Sequence, residues 1–84
     1  MLKIQVVGPG CSNCQRLEAL CREVVEEEGW AAQIDKVTDV NQFADLGIFM
    51  TPGLVVNNEV VSSGKIPVKA TLKNWLRDRL SAHN

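Results

Sequence analysis

The sequence predicts an α/β fold, a mixed four-stranded sheet with helices on both faces and the element order βαβαββα. Three observations predict it. Apolar residues alternate in some segments and recur every three or four residues in others, the two periods of strand and helix. Gly and Pro separate those segments at Gly8-Pro9-Gly10, Gly29, Gly47, Pro52-Gly53 and Gly64. Two strands joined by Asn57-Asn58 follow a βαβ unit, which sets an antiparallel hairpin beside a parallel pair.

The elements follow in order. Leu2 to Val7 alternates and ends in β-branched residues, as an interior strand does. From about Ser12 to Glu28, Cys14, Leu17, Leu20, Cys21, Val24 and Val25 make one helical stripe. Gly29 is a natural stop for that helix. A second strand runs from Ala31 or Ala32 to Val37. Thr38 or Asp39 is expected to cap a short helix through about Leu46, with Phe43 and Leu46 facing inward. Gly53 to Val56 forms the third strand and Glu59 to Ser62 the fourth, since Asn57-Asn58 tolerates the positive φ of a tight hairpin. Pro67 fits the first turn of a last helix whose inward residues are Val68, Leu72, Trp75, Leu76 and Leu80.

With 84 residues and no linker, repeat or low-complexity segment, the chain is expected to be one domain, 1–84. A hydrophobic fraction of 45 % with 23 % charged residues is ordinary for a soluble globular protein. A net charge of −1 gives no reason to expect nucleic acid or an anionic membrane as partner. No apolar run approaches the ~20 residues of a membrane span. Met1 to Val7 is too short and too alternating for a signal peptide, so the expected location is cytoplasmic. Without a Ser/His/Asp or His-rich grouping, hydrolytic chemistry has no candidate residues. His83 is the only histidine, in the C-terminal tail, and is assigned no role; Glu26-Glu27-Glu28 is expected to be a solvated helix end.

The chemistry lies in the cysteines. Cys11, Cys14 and Cys21 are odd in number and crowded, unlike a structural disulfide framework. A cysteine at a helix N-terminus faces unpaired backbone N–H groups and the positive end of the helix dipole, and both favour the thiolate. That thiolate is the nucleophile. Cys11 is therefore expected to be exposed and to attack a disulfide. Cys14, one turn on and within the buried stripe, then resolves the mixed disulfide. Cys21 lies seven residues beyond Cys14, ~10 Å along the axis at 1.5 Å per residue, too far for a disulfide. It is expected to be a small core residue, with a role as auxiliary thiol or third ligand as the alternative.

Cys11-Ser12-Asn13-Cys14, with Thr51-Pro52 beyond a βα unit, resembles the thioredoxin fold, and the likeness covers nearly all of the chain. Gly47 to Val56 is similar to the segment in which a cis-proline precedes a central strand. Asn58 to Val61 resembles the following hairpin and Leu72 to Leu76 the closing helix. The nearest subgroup is the short glutaredoxin-like, redox-active disulfide proteins. The resemblance implies a minimal thioredoxin fold and a protein-disulfide reductase that needs no cofactor or metal. It implies a cis Pro52 beside the cysteines and a Thr51 whose backbone meets the substrate. Thr51, Pro52, Met50 and Gly10 are the expected substrate-binding set, with Met50 an apolar contact. A protein disulfide and a reductase, a flavoprotein such as thioredoxin reductase, are the expected partners of a monomer.

The chain also departs from the larger thioredoxins. Gly10 replaces the aromatic residue before the first cysteine, and Ser12-Asn13 replaces Gly-Pro. Gln5 stands where a buried acid assists proton transfer, which removes one route for deprotonating Cys14. Ser62-Ser63-Gly64-Lys65 lacks the glutathione-binding pattern of glutaredoxins. Lys36 and Lys65 are candidates to lend positive potential near the thiols, and the helix dipole without an adjacent His implies a reducing poise.

Two other functions use the same residues. A soft-metal chaperone would hold Cu(I) or zinc between Cys11 and Cys14. Pro9 in place of Met, the Thr-Pro turn and the closing helix argue against it. A scaffold would grip a partner through Ile48, Phe49 and Met50, of which Ile48 and Phe49 are expected in the core. Trp75 is expected in the core and Trp30 at the sheet edge.

Overall fold

The strand Leu2–Val7, β1, carries the rest of the architecture, with one strand paired along each of its edges. The computed structural model describes residues 1–81; His83 lies outside the described residues. After β1 come α1 (Ser12–Glu28), β2 (Ala32–Val37), α2 (Val40–Phe43), β3 (Gly53–Val56), β4 (Glu59–Ser63) and α3 (Lys69–Ser81). The sheet order is β2-β1-β3-β4. β2 is parallel to β1 with Val6 opposite Lys36, while β3 is antiparallel with Val7 opposite Gly53. This is the mixed α/β sheet that the alternating segments predict.

Side-chain alternation divides the core between the two faces. Leu2, Ile4 and Val6 of β1 join Leu54 and Val56 on one face, against Leu17, Cys21 and Val24 of α1 and Leu72 and Leu76 of α3. Trp30, Trp75 and Leu80 are partly buried against this cluster. On the other face Val7, Val37, Ile48 and Val55 form a smaller cluster beneath Phe43 and Leu46. The β3–β4 hairpin turns at Asn57 and Asn58, with φ of 53° and 67°, as a two-residue turn requires. Leu54 faces Ser62 and Val55 faces Val60, so Val61 is the extra residue of a β-bulge.

α1 is fixed at both ends. Its N-cap is Cys11, in extended conformation. At its other end Gly29 adopts φ 66°, its N–H donates to Glu26 O, and the Trp30 N–H donates to Val25 O. That pair of bonds is the Schellman closure, which favours glycine at the left-handed position.

Four expectations are corrected. α2 ends at Phe43 rather than near Leu46, because the Ile48 N–H returns to Phe43 O at 2.9 Å and tightens residues 44–47 into turns. Of the two expected caps it uses Asp39, whose Oδ1 accepts the Asn41 N–H at 2.9 Å. Phe49 is 83 % exposed instead of core. Ile48 takes the inward position alone, filling the space at Gly53, where a Cβ would lie 2.6 Å from Ile48 Cδ1. α3 starts at Lys69, beyond Pro67, because the Val68 carbonyl accepts the first helical bond, from the Leu72 N–H at 3.0 Å; Val68 is exposed. Glu27 and Glu28 are not merely solvated. Glu27 pairs with Lys69 and Lys73, and Glu28 with Lys73 and Arg77, tying the end of α1 to α3. Such exposed pairs contribute about 0–1 kcal/mol each, so the apolar seam between the helices dominates.

Leu17 is fully buried where α1 meets the sheet, and Leu17→Ala is expected to cost about 2–5 kcal/mol in denaturant unfolding. Cys21→Ala removes a smaller buried group and is expected to cost about 1–2 kcal/mol with disulfide exchange retained. Loss of exchange in Cys21→Ala would contradict its assignment to the core.

Candidate active site

β1 ends at Val7, and the chain turns through Gly8, Pro9 and Gly10 before α1 begins. Gly10 has φ +89°, a conformation that side chains rarely adopt, so glycine suits this turn into Cys11. Cys11 then takes φ −69° and ψ 169°, aiming its side chain back at the first turn of the helix. Its Sγ accepts the Cys14 N–H at 3.4 Å and lies 2.7 Å from Cys14 Sγ. Cys11 is exposed, whereas Cys14 is 5 % exposed and belongs to the inner stripe of α1.

The same few ångströms give the two thiols opposite tendencies. Cys11 is drawn below the ordinary thiol range, first by the hydrogen bond with the Cys14 side chain and then by the Cys14 backbone N–H. The dipole of the seventeen-residue α1 acts in the same direction. Burial pushes the Cys14 thiol up, and its hydrogen bond to Cys11 adds to this. Cys21, buried among apolar side chains, is pushed up to about 12, mainly by desolvation. Ionisation is thus favoured at Cys11 and opposed at Cys14 and at Cys21, and the thiolate is the more nucleophilic form of a cysteine.

The topology brings the distant turn to the cysteines. Because Val7 pairs with Gly53, Thr51 and Pro52 arrive beside Gly8. The Thr51–Pro52 bond is cis, Pro52 is buried and Thr51 is exposed. A Cβ on Gly8 would lie 2.2 Å from Cys14 Sγ and 3.6 Å from Thr51 Cβ, so Gly8 sits between the second cysteine and the turn. Two bonds anchor the turn to the end of β4: the Gly64 N–H donates to Pro52 O at 2.9 Å, and Ser63 Oγ donates to Met50 O at 3.1 Å. Met50 is 65 % exposed and packs beside Gly64. Of the expected set, Gly10 and Cys11 end the β1–α1 turn, Cys14 stands in the first turn of α1, Thr51 and Pro52 are brought alongside, and Met50 stands farther out on their loop.

Two residues of this region, Gly8 and Glu18, escape the motif, and Lys36, expected near the thiols, is found paired with Glu18. Gly8 looks like a turn glycine, and its close approach to Cys14 becomes visible only when β1 and α1 are folded together. Glu18 looks like one of several solvent-facing helix acids, although its spacing of four from Cys14 puts the two on one face. Lys36 faces the same side of the sheet as Val6 and reaches Glu18, with Nζ 3.7 Å from Oε1. Among the described residues no group of three or more His, Cys, Asp or Glu is placed to hold a metal ion, and no helix is long and apolar enough to cross a membrane.

A family model for a thioredoxin domain matches residues 2–77 of this chain. The chain belongs to the thioredoxin family. A thioredoxin of Methanothermobacter thermautotrophicus is 40 % identical over 76 residues, which span 90 % of this chain and 99 % of the relative. A thioredoxin of Methanocaldococcus jannaschii is 39 % identical over 83 residues, spanning 94 % of this chain and 95 % of the relative. The fold is the minimal thioredoxin fold, and the chain is a thioredoxin-like protein-disulfide reductase, a thiol–disulfide oxidoreductase.

Gly8 gives this site a direct test. Gly8→Ala is expected to displace Cys14 Sγ from Cys11 while leaving Cys11 exposed. Alkylation of Cys11 should stay within about two-fold of the parent, and closure of the Cys11–Cys14 disulfide should slow by about tenfold at every pH. Equal closure rates in the two proteins, measured by quenched-flow alkylation, would show that Cys14 does not need the space at Gly8.

Proposed function

We propose that this member of the thioredoxin family reduces protein disulfides by a two-step exchange, with Cys11 as the attacking and Cys14 as the resolving cysteine. The observation that carries the proposal is the asymmetry of the pair. An exposed sulfur with a lowered pKa lies 2.7 Å from a buried sulfur with a raised one, at the N-terminus of one helix. The Cys11 thiolate attacks one sulfur of the partner's disulfide and expels the other as a thiolate, leaving a mixed disulfide. Cys14 then attacks Cys11 Sγ and releases the second partner sulfur. Two electrons pass from the dithiol to the partner, and Cys11 and Cys14 end as a disulfide.

In this reading Thr51 offers its backbone to an extended partner segment, Pro52 backs that segment, and Gly10 leaves room for it beside Cys11. Met50 supplies an apolar contact. Phe49, exposed on the same loop, would extend that surface. The chain acts as a cytoplasmic monomer of one domain and is recharged by a separate reductase, a flavoprotein of the thioredoxin reductase kind.

Equilibration against redox buffers, run beside Cu(I) and Zn(II) titrations, tests the proposal. The expected outcome is a reversible two-electron couple more reducing than about −200 mV, abolished in Cys14→Ser, with weak metal binding. Tight stoichiometric metal binding without disulfide exchange would instead assign the pair to metal transport.

A further inference from the structure

Behind Cys14, on the α1 face of the sheet, a recess of about 80 Å³ opens between the β1–α1 turn and the end of β2. The titratable groups lining it are Cys14, Glu18 and Lys36. Glu18 stands one helical turn beyond Cys14, a spacing that puts Cβ atoms about 5–6 Å apart on one helix face. Its carboxylate is held from two sides. Arg22 donates to Oε2 from Nε at 3.2 Å and from Nη2 at 2.9 Å, and Lys36 Nζ lies 3.7 Å from Oε1. The Glu18 side chain is only 15 % exposed, against 53 % for Arg22 and 61 % for Lys36, so the cations lie outermost and the acid is tucked toward the recess.

The resolving step needs such a group. In the reduced protein, the Cys14 and Cys11 sulfurs lie 2.7 Å apart, so each can serve the other as a hydrogen-bond partner. Once Cys11 is tied into a mixed disulfide, it can no longer take the Cys14 proton. β1 and its turn offer no substitute, since Val6, Gly8 and Gly10 line the recess and Gln5 points to the opposite face of the strand. Thr38 adds a hydroxyl without a useful charge. A water needs roughly 10–15 Å³ of such space and two to four polar partners. The recess has the room, and Cys14, Glu18, Lys36 and Thr38 are such partners.

We propose that Glu18, aimed by Lys36 and Arg22, is the positioning residue that accepts the Cys14 proton through water in this recess while Cys14 closes on the mixed disulfide. The inference rests on the two-cysteine exchange above and deepens it. Cys14 passes its proton to water, which passes one to Glu18. The Cys14 sulfur bonds to Cys11 Sγ, the bond from Cys11 Sγ to the partner's sulfur breaks, and that sulfur leaves with the electron pair. Glu18 then returns its proton to solvent, where the departing thiolate is protonated. Arg22, and Lys36 more weakly, hold Glu18 below the usual carboxylate range, so it is ionised and able to accept at neutral pH. Transfer from a free thiol to so weak a base is uphill and becomes favourable as the sulfur–sulfur bond forms.

The test uses 5,5′-dithiobis(2-nitrobenzoate) in single turnover. Its first thiolate is released by Cys11 attack and its second by Cys14 resolution. In Glu18→Gln the first release should stay within about two-fold of the parent, and the second should slow by about tenfold or more at neutral pH. The two proteins should converge under alkaline conditions, where hydroxide takes the proton, and Glu18→Asp should recover part of the neutral-pH rate. The intact first release shows that the Gln variant is folded. A second release unchanged in Glu18→Gln, or slowed by the same factor at every pH, would overturn the role of Glu18. Absence in the parent of any second release that depends on Cys14 would instead overturn the two-cysteine exchange itself.

Discussion

The contact between the Cys11 sulfur and the first turn of α1 is the constraint on which the site depends. Cys11 occupies the N-cap, so its Sγ meets the Cys14 N–H and the Cys14 thiol at once. The N-terminus of a helix carries the equivalent of about half a positive charge, concentrated in its first turn. Shifting the helix start by a residue would rotate both sulfurs by ~100° about the axis and remove the difference between them. What keeps the start in place is the rest of α1. Leu17, Cys21 and Val24 are locked in the main core, Gly29 closes the far end, and Glu23, Glu27 and Glu28 are paired with α3.

The sheet order turns that local asymmetry into a site. Placing β3 directly beside β1 brings Thr51 and Pro52, forty residues from Cys11 in sequence, up against Gly8. Placing β2 on the other edge carries Lys36 to the α1 face beside Glu18. The pair is therefore approached from two sides, by an exposed polar and apolar turn in front and by a covered acid behind. Tight packing around the sulfurs follows from glycine at position 8, where any side chain would contest the space of Cys14 Sγ.

The features visible in the sequence are those governed by local rules. The period of three and four in Cys14, Leu17, Cys21 and Val24 marks the buried stripe of α1, and the glycine after Glu28 marks its end. Asn57-Asn58 marks the hairpin, and the spacing of Cys11 and Cys14 marks the dithiol. Less visible were features decided by which neighbour wins a shared space. Phe49 and Ile48 are equally apolar, and only the fit of Ile48 over Gly53 determines which faces inward. Val68 continues the apolar spacing of α3 yet lies outside the helix, where the chain still has to turn. Glu18 resembles its acidic neighbours in sequence and differs from them through Lys36, which arrives on another element.

The most direct test of the central claim is to follow the two ionisations separately by NMR, using protein labelled with 13C at the cysteine Cβ atoms. Cys11 is expected to titrate first, below the ordinary thiol range, and Cys14 at distinctly higher pH, because one sulfur caps the helix and the other is buried behind it. Titration of Cys14 before Cys11, or of both together at an ordinary thiol value, would contradict the account.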